Sequence, residues 1–263
     1  METRGDRDAH LDLSTIAGQG VFTVEVQRAV LDRAADVAVH SAKDLPSSTP
    51  KGLELISVPE RRDPADVLVG RSLAGLGPGA TVATGSPRRR ALLLERRPDL
   101  AVVPLRGNMA RRLAAAGQNG IDAVVAAMAA LQRLDQAGLV SERLDPTWFV
   151  PQVGQGAIAL EARADDDETR EALLSINDGD ALTAVVAERS FLEELGAGCS
   201  IPAGAYARLE GGRVAIRGVM VAPEGTKSVR AEVVGADARV VGVSLARRLR
   251  DDLGGGDLLG WTA

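Results

Sequence analysis

Five consecutive residues, His40-Ser41-Ala42-Lys43-Asp44, bring an imidazole, a hydroxyl, an ammonium and a carboxylate to one short segment. Groups of these types can bind an anion and move a proton. Further on, Thr84-Gly85-Ser86-Pro87-Arg88-Arg89-Arg90 combines hydroxyls with guanidiniums, and Arg106, Arg112 and Arg133 add more cations. Arginine's planar fork matches carboxylate or phosphate oxygens in pairs. The only cysteine, Cys199, lies in Gly196-Ala197-Gly198-Cys199-Ser200-Ile201-Pro202. A thiol on a glycine-flanked turn is a mount for a reactive or covalently modified sulfur; a small buried hydrophobe is the alternative.

These groups need elements to deliver them. Residues 36–40 read as a short buried strand. The 40–46 cluster then falls at a strand's carboxyl end, where open α/β sheets bind ligands. A solvated turn capped by Asp44 is the other reading. Residues 23–33 form a helix with Val26, Val30 and Ala34 on one face. Strands follow at 53–58 and 67–69. The charged, proline-broken Glu60-Arg61-Arg62-Asp63-Pro64 between them marks a crossing from one unit to the next. A strand over 80–83 feeds a polar turn and a helix opening at Arg88, which presents backbone N–H groups to an anion. Arginines in that first turn oppose the helix dipole. They call for a ligand or partner, or for pairing with Glu95 as a basic face. Strands at 101–105 and 121–127 are again followed by basic groups, so residues 66–135 carry a basic rim suited to a polyanion. Residues 146–151 read as the return crossing, and Val153-Gly154-Gln155-Gly156-Ala157 as a second glycine turn. Helices over 165–174 and 178–195 lead to strand signals at 206–209, 214–217 and 229–233 and a last helix over 240–253. That tail makes a small antiparallel unit.

The 263 residues suit two or three compact units. Lys+Arg number 31 against Asp+Glu 36, a net charge of -5, which excludes a general nucleic-acid binder. Aromatic residues are 2% of the chain, and the basic rim lacks the stacking platforms that single strands need. One cysteine permits no internal disulfide and fits a reducing compartment. No apolar run reaches membrane-span length, and Met1 to Asp6 lack a signal peptide's apolar core. The expectation is a cytoplasmic protein without a membrane partner. His10 and His40 stand far apart, without CxxC or HExxH, so no metal site is expected.

Several stretches carry a resemblance in the same order along the chain. They are Thr3-Arg4-Gly5-Asp6, Gly18-Gln19-Gly20-Val21-Phe22, Ala38-Val39-His40-Ser41-Ala42-Lys43-Asp44-Leu45-Pro46, Glu95-Arg96-Arg97-Pro98-Asp99-Leu100, Leu105-Arg106-Gly107-Asn108, Val153-Gly154-Gln155-Gly156-Ala157 and Gly198-Cys199-Ser200-Ile201-Pro202. With these the sequence resembles the porphobilinogen deaminase (hydroxymethylbilane synthase) family.

The resemblance implies an α/β fold with two periplasmic-binding-protein-like lobes and a small α+β C-terminal domain with an antiparallel sheet. Residues 1–60 with 157–175 would form the first, 65–150 the second and 178–263 the third. It implies a monomeric transferase that joins four porphobilinogens head to tail into linear hydroxymethylbilane, releasing ammonia, in tetrapyrrole biosynthesis. A dipyrromethane cofactor would be held by a thioether to Cys199. Asp44 would be the catalytic carboxylate. Ser41, Lys43, Thr84, Ser86, Arg88, Arg89, Arg106, Arg112 and Arg133 would bind cofactor and substrate. Gln155 would lie near the cofactor, and Phe22 in a mobile loop over the site. The sequence also departs from the family. Thr15 and Gln19 stand where many members have Lys, Ala130 replaces a common glycine, and Ala197-Gly198 replaces a double glycine. A strand with an Arg-x-Ser motif, a helix and a second strand normally precede the position of Thr3. The expectation is a start assigned too late at Met1, the full-length protein being the enzyme; an inactive or binding-only fragment is the alternative.

Overall fold

A computed structural model describes residues 21–196 and 201–260. Helix α1 (Val21–Leu31) leads to strand β1 (Val37–Ser41) and then β2 (Leu53–Ser57). The chain leaves for a second sheet made of β3 (Asp66–Gly70), β4 (Thr81–Ala83), β5 (Ala101–Val103), β6 (Ala123–Ala127) and β7 (Val140–Arg143). It returns as β8 (Ile158–Arg163), which inserts between β1 and β2, antiparallel to both. The second sheet has the order β5-β4-β6-β3-β7, with β4 parallel to both neighbours and β3 antiparallel to both of its own. Helices α2 (Pro87–Arg96), α3 (Met109–Ala114) and α4 (Met128–Arg133) join or follow its strands. After α5 (Asp167–Leu174) and α6 (Gly179–Glu194), a meander of β9 (Ala203–Glu210), β10 (Arg213–Val221) and β11 (Ser228–Gly235) forms the third sheet. Helix α7 (Ala238–Arg247) runs into a π-helical stretch, Arg248–Asp252, and the short α8 (Gly255–Leu258) closes the described chain. The architecture is α/β, two lobes with their own sheets plus an α+β C-terminal unit.

Strands β7 and β8 go beyond what the sequence signals. β7 alternates half-buried and exposed residues on a sheet edge and carries little apolar pattern. β8 is buried at every position but its first, although Glu161 and Arg163 interrupt its apolar run. Both charges are compensated. Glu161 accepts from Gln27 Nε2 at 2.7 Å. Arg163 donates to the carbonyls of Val30 and Ala35 at 3.0 and 2.8 Å, satisfying acceptors at the end of α1, and pairs with Asp36 and Asp166.

With few aromatics, the two largest fully buried side chains, Phe149 and Phe191, anchor separate cores. Phe191 sits on α6, which is apolar around much of its surface and is buried accordingly. Its Phe191 and Leu192 pack on the third sheet. Its Ala181 and Val185 pack with Ala42, Leu45, Val58 and Ala159 of the first lobe. Thus the helix that leads toward Cys199 shares a core with the turn that carries Asp44. Helix α7 crosses α6 closely because Gly242, lacking a Cβ, lies against the Ala187 carbonyl.

Glu188, also on α6 and fully buried, ties three stretches together. It accepts from Arg61 Nη1 and Nη2 at 2.7 and 3.1 Å, from the Gly154 amide at 2.7 Å and from the Ala207 amide at 2.8 Å. Removing one partner of such a pair strands a buried charge. Glu188→Ala should therefore lower unfolding free energy by about 3–5 kcal/mol in urea titration. A loss below about 1 kcal/mol, the scale of a surface pair, would contradict this role.

Candidate functional site

Strand β1 ends at Ser41 and passes into a single 3-10 turn, Ala42–Asp44. The turn is held from several sides. Ala42 and Leu45 are buried, and Pro46 ends the segment. The Ala42 amide donates to the Ala157 carbonyl at 3.1 Å, Gln152 Nε2 to the Lys43 carbonyl at 3.1 Å, and Thr23 Oγ1 to the Asp44 carbonyl at 3.3 Å. Gly154, with φ +72°, lies so near that a Cβ there would stand 2.7–2.9 Å from the Ala42 and Lys43 backbone. Gly156, with φ +91°, lies still closer to the Arg62 carbonyl. The second glycine turn is therefore the seam between the return crossing, the outward crossing and the Asp44 turn.

Beside this seam lies a cavity of about 350 Å3. Ser41, Lys43 and Asp44 border it from the first lobe, Arg112 and Arg133 from α3 and α4, and Gln155 from the seam. Asp44 is exposed to it rather than enclosed. Arg112 Nε donates to the Gly107 carbonyl at 2.7 Å, and Arg133 Nη2 to the Gly156 carbonyl at 2.8 Å. Burial pulls the Lys43 ammonium below its ordinary range, and the charges of Arg89 and Arg88 add to this against Asp44 and Asp66. Burial does the same to Arg112, reinforced by Arg89 and opposed by Asp44, and to Arg133, reinforced by Arg62. Cations thus crowd one side of a cavity that holds a single carboxylate side chain, Asp44. An anionic ligand would relieve them.

The arginines at the start of α2 lie inside the lobe instead. Arg88 and Arg89 are 3% and 9% exposed. Both pair with Asp66, which is fully buried at the head of β3: Arg88 Nη2 at 2.7 Å and Arg89 Nη2 at 2.6 Å. Gln155 Nε2 donates to the same carboxylate at 3.0 Å. This carboxylate accounts for arginines placed against the helix dipole. Glu95 pairs with Arg230 and Ser228 of β11, and Arg90 with Glu224. Ser86 caps α2, accepting from the Arg89 amide, and buried Thr84 accepts from the Ser86 amide at 3.2 Å. Ser86 and Arg88 also border a smaller cavity, about 20 Å3, with Gln152, Phe191, Ile201 and Ala203. Arg88 Nε is buried there without a hydrogen-bond partner among the described residues. Arg106 is exposed after β5 and borders neither cavity. Cys199 and the Phe22 side chain lie outside the described residues. Of the expected set, the larger cavity gathers Ser41, Lys43, Asp44, Arg112, Arg133 and Gln155. Sequence reasoning missed Asp66, Glu188 and Gln152. A charged residue opening the apolar strand Asp66-Val67-Leu68-Val69 was the available signal for the first.

Comparison with known proteins gives the family. The family model described as porphobilinogen deaminase, dipyromethane cofactor binding domain, matches residues 1–171, and that for the porphobilinogen deaminase C-terminal domain matches residues 182–251. The porphobilinogen deaminase of Thermus thermophilus is 43% identical, covering 98% of this chain and 86% of its own. That of Syntrophobacter fumaroxidans is 40% identical over 95% of this chain and 83% of its own. A solved structure of the methionine binding protein MetQ overlays with a TM-score of 0.39 at 13% identity, covering 62% of this chain and 77% of that one, too low to bear on the assignment.

The Asp66 hub has a pH signature. Burial pushes its carboxyl up, but the Arg88 and Arg89 charges and the Gln155 hydrogen bond outweigh that and hold it below the ordinary range. A folded-state value below the unfolded one stabilises the fold above about pH 4 and loses that contribution as pH falls through the folded value. Asp66→Asn should be less stable by about 3 kcal/mol at pH 7, with the gap narrowing toward pH 3 in urea unfolding. A gap as wide at pH 3 as at pH 7 would refute the linkage.

Proposed function

This chain belongs to the porphobilinogen deaminase family, and on that footing we propose that it joins four porphobilinogen molecules head to tail into linear hydroxymethylbilane, releasing ammonia, in tetrapyrrole biosynthesis. The observation that carries the reading is the Asp44 cavity, which sets one carboxylate among Lys43, Arg112 and Arg133 from both lobes. Each porphobilinogen brings two carboxylates and an aminomethyl group on a pyrrole. Ser41, Lys43, Arg112 and Arg133 receive the carboxylates, with Arg106 joining them at the exposed end of β5. Loss of ammonia leaves a cationic methylene-pyrrole. The Asp44 carboxylate stabilises that charge, holds the pyrrole N–H and takes part in moving the proton lost when the new carbon–carbon bond forms. Its exposure to the cavity suits contact with a substrate.

The family model's description names the dipyrromethane cofactor. The residues near the Cys199 loop fit such a group. Ser86, Arg88 and Gln152 supply donors beside Ile201, and Arg88 Nε lacks a partner. In this reading Cys199 holds the cofactor by a thioether, and Thr84, Ser86, Arg88 and Arg89 face its carboxylates. Gln155 steadies Arg89; Phe22, expected in a loop, stands instead in the first turn of helix α1. When bound, the dipyrromethane supplies the pyrrole carbon from which the product chain grows. Residues 1–60 with 157–175 carry Asp44, 65–150 carry the arginines and 178–263 carry the anchor, a division supported by sheet membership. The working unit in this reading is a monomer. A cytoplasmic setting suits a lone cysteine committed to a thioether.

Asp44→Ala should cut product formation from porphobilinogen by at least about 100-fold while leaving the unfolding midpoint unchanged. Substantial turnover in that variant would sink the assignment. Intact-mass measurement of the purified protein should show the polypeptide plus a dipyrromethane, and Cys199→Ser the bare polypeptide mass. Equal additions on both would move the anchor elsewhere.

A further inference from the structure

The turn that carries Asp44 has little to hold it from within. It is a single 3-10 turn, Ala42–Asp44, and Ser41 before it makes no side-chain cap. The backbone hydrogen bond that closes it, from the Leu45 amide to the Ala42 carbonyl, is long at 3.4 Å. Turns of this kind have poor hydrogen-bond geometry and persist only in short pieces. Buried Ala42 and Leu45 pin its two ends. Between them Asp44 is exposed, and its carboxylate has no hydrogen-bond partner among the described residues. The charges of Lys43 and Arg112 act on it through space. The direction in which the side chain leaves the backbone is therefore set by the peptide groups on either side of the Asp44 Cα.

Both of those groups are held by side chains from distant elements. The Lys43 carbonyl, in the plane before the Asp44 Cα, accepts from Gln152 Nε2 at 3.1 Å. The Asp44 carbonyl, in the plane after it, accepts from Thr23 Oγ1 at 3.3 Å. Turning the first plane about φ breaks one bond, and turning the second about ψ breaks the other. Each donor is itself held. Thr23 is buried on the first turn of α1, and α1 is fixed by Gln27 on Glu161 and by Val30 against Ala38 and Leu53. Gln152 is half-buried between buried Pro151 and Val153. Thr23 borders neither the Asp44 cavity nor the smaller one beside Ile201, so its hydroxyl serves the turn rather than a ligand there.

We propose that Thr23 and Gln152 are positioning residues for the reaction: they lock the two peptide planes around Asp44 and so aim its carboxylate at the positive charge that develops, while the cations of the cavity bind the substrate. The inference rests on the Asp44 reading above. Thr23→Val keeps the shape and removes the donor, Thr23→Ser keeps the donor, and Gln152→Met keeps the length without it. Because Gln152 also borders the smaller cavity, kcat is counted per cofactor-bearing chain, by intact mass. With porphobilinogen, Thr23→Val and Gln152→Met should each lower kcat at least about fivefold, with KM within about twofold and an unchanged unfolding midpoint. Thr23→Ser should recover most of the loss. In an Asp44→Ala background Thr23→Val should cost nothing further, since a group that acts through Asp44 then has nothing to aim. Unchanged kcat in both donorless variants, a loss carried by KM, a Thr23→Ser variant as slow as Thr23→Val, or a loss undiminished without Asp44 would each overturn the proposal. Wild-type protein that forms no product would end the Asp44 reading instead. Amide exchange across residues 41–46, read by mass spectrometry, then tests the positioning alone: it should quicken at least about threefold in Thr23→Val and in Gln152→Met, and unchanged exchange would overturn it.

Discussion

The structure depends on one carboxylate. Glu188 has no exposure and accepts four hydrogen bonds: two from Arg61 on the outward crossing, one from Gly154 on the return crossing and one from Ala207 in the third sheet. A buried charge of this kind survives only if each lone-pair direction is filled, because its desolvation is repaid by fixed donors or not at all. The constraint propagates outward. Gly154 must approach the carboxylate and, at the same time, the Ala42 and Lys43 backbone, so no side chain fits there. Arg61, held by Glu188, also donates to the Gln155 carbonyl at 3.0 Å and 2.9 Å. Gln155 then reaches the Pro64 carbonyl and the Asp66 hub. The two lobes and the C-terminal unit are in this way joined through polar contacts whose partners cannot be exchanged singly.

What the sequence made legible follows from the range of the forces involved. The turn at Ala42–Asp44 was readable because a buried strand ending in polar residues and a proline is a local pattern. The helix over Val21–Leu31 was readable for the same reason. β8 was not, since Glu161 and Arg163 read as surface residues until their partners on α1 and the α1–β1 connection are known. Gln27 lies 134 residues from Glu161, and no window over a sequence spans that distance.

The arginines make the same point from the opposite side. Arg88, Arg89, Arg112 and Arg133 look alike in sequence, and arginine after a strand end reads as a rim. Asp66 divides them. Two turn inward to one carboxylate, and two remain at the cavity wall. The division could be read only by asking why a charge opens the strand Asp66–Gly70, and by pairing it with cations more than 20 residues away. The expectation for Cys199 came only from its family's motif order, since the loop alone favours a small buried residue.

The inward pair also bears on how anions are held. Arg88 and Arg89 bring two positive charges against the single negative charge of Asp66, and Gln155, the third group on that carboxylate, is neutral. The interior beside Ser86 thus keeps one unit of positive charge in excess. Asp66 cannot shed its own charge near neutrality, because the guanidiniums hold its carboxyl below the ordinary range. The hub is therefore a fixed source of positive potential between two cavities. One is bordered by Arg88 next to Ile201, and the other by Lys43 and Arg112, whose own ranges the Arg89 charge depresses. In a low-dielectric interior that excess is felt over longer distances than at a surface. A carboxylate entering either cavity gains from it without breaking any existing pair. A polyanion bound here would need no rearrangement of the Asp66 contacts, since the cost of burying them is met in folding.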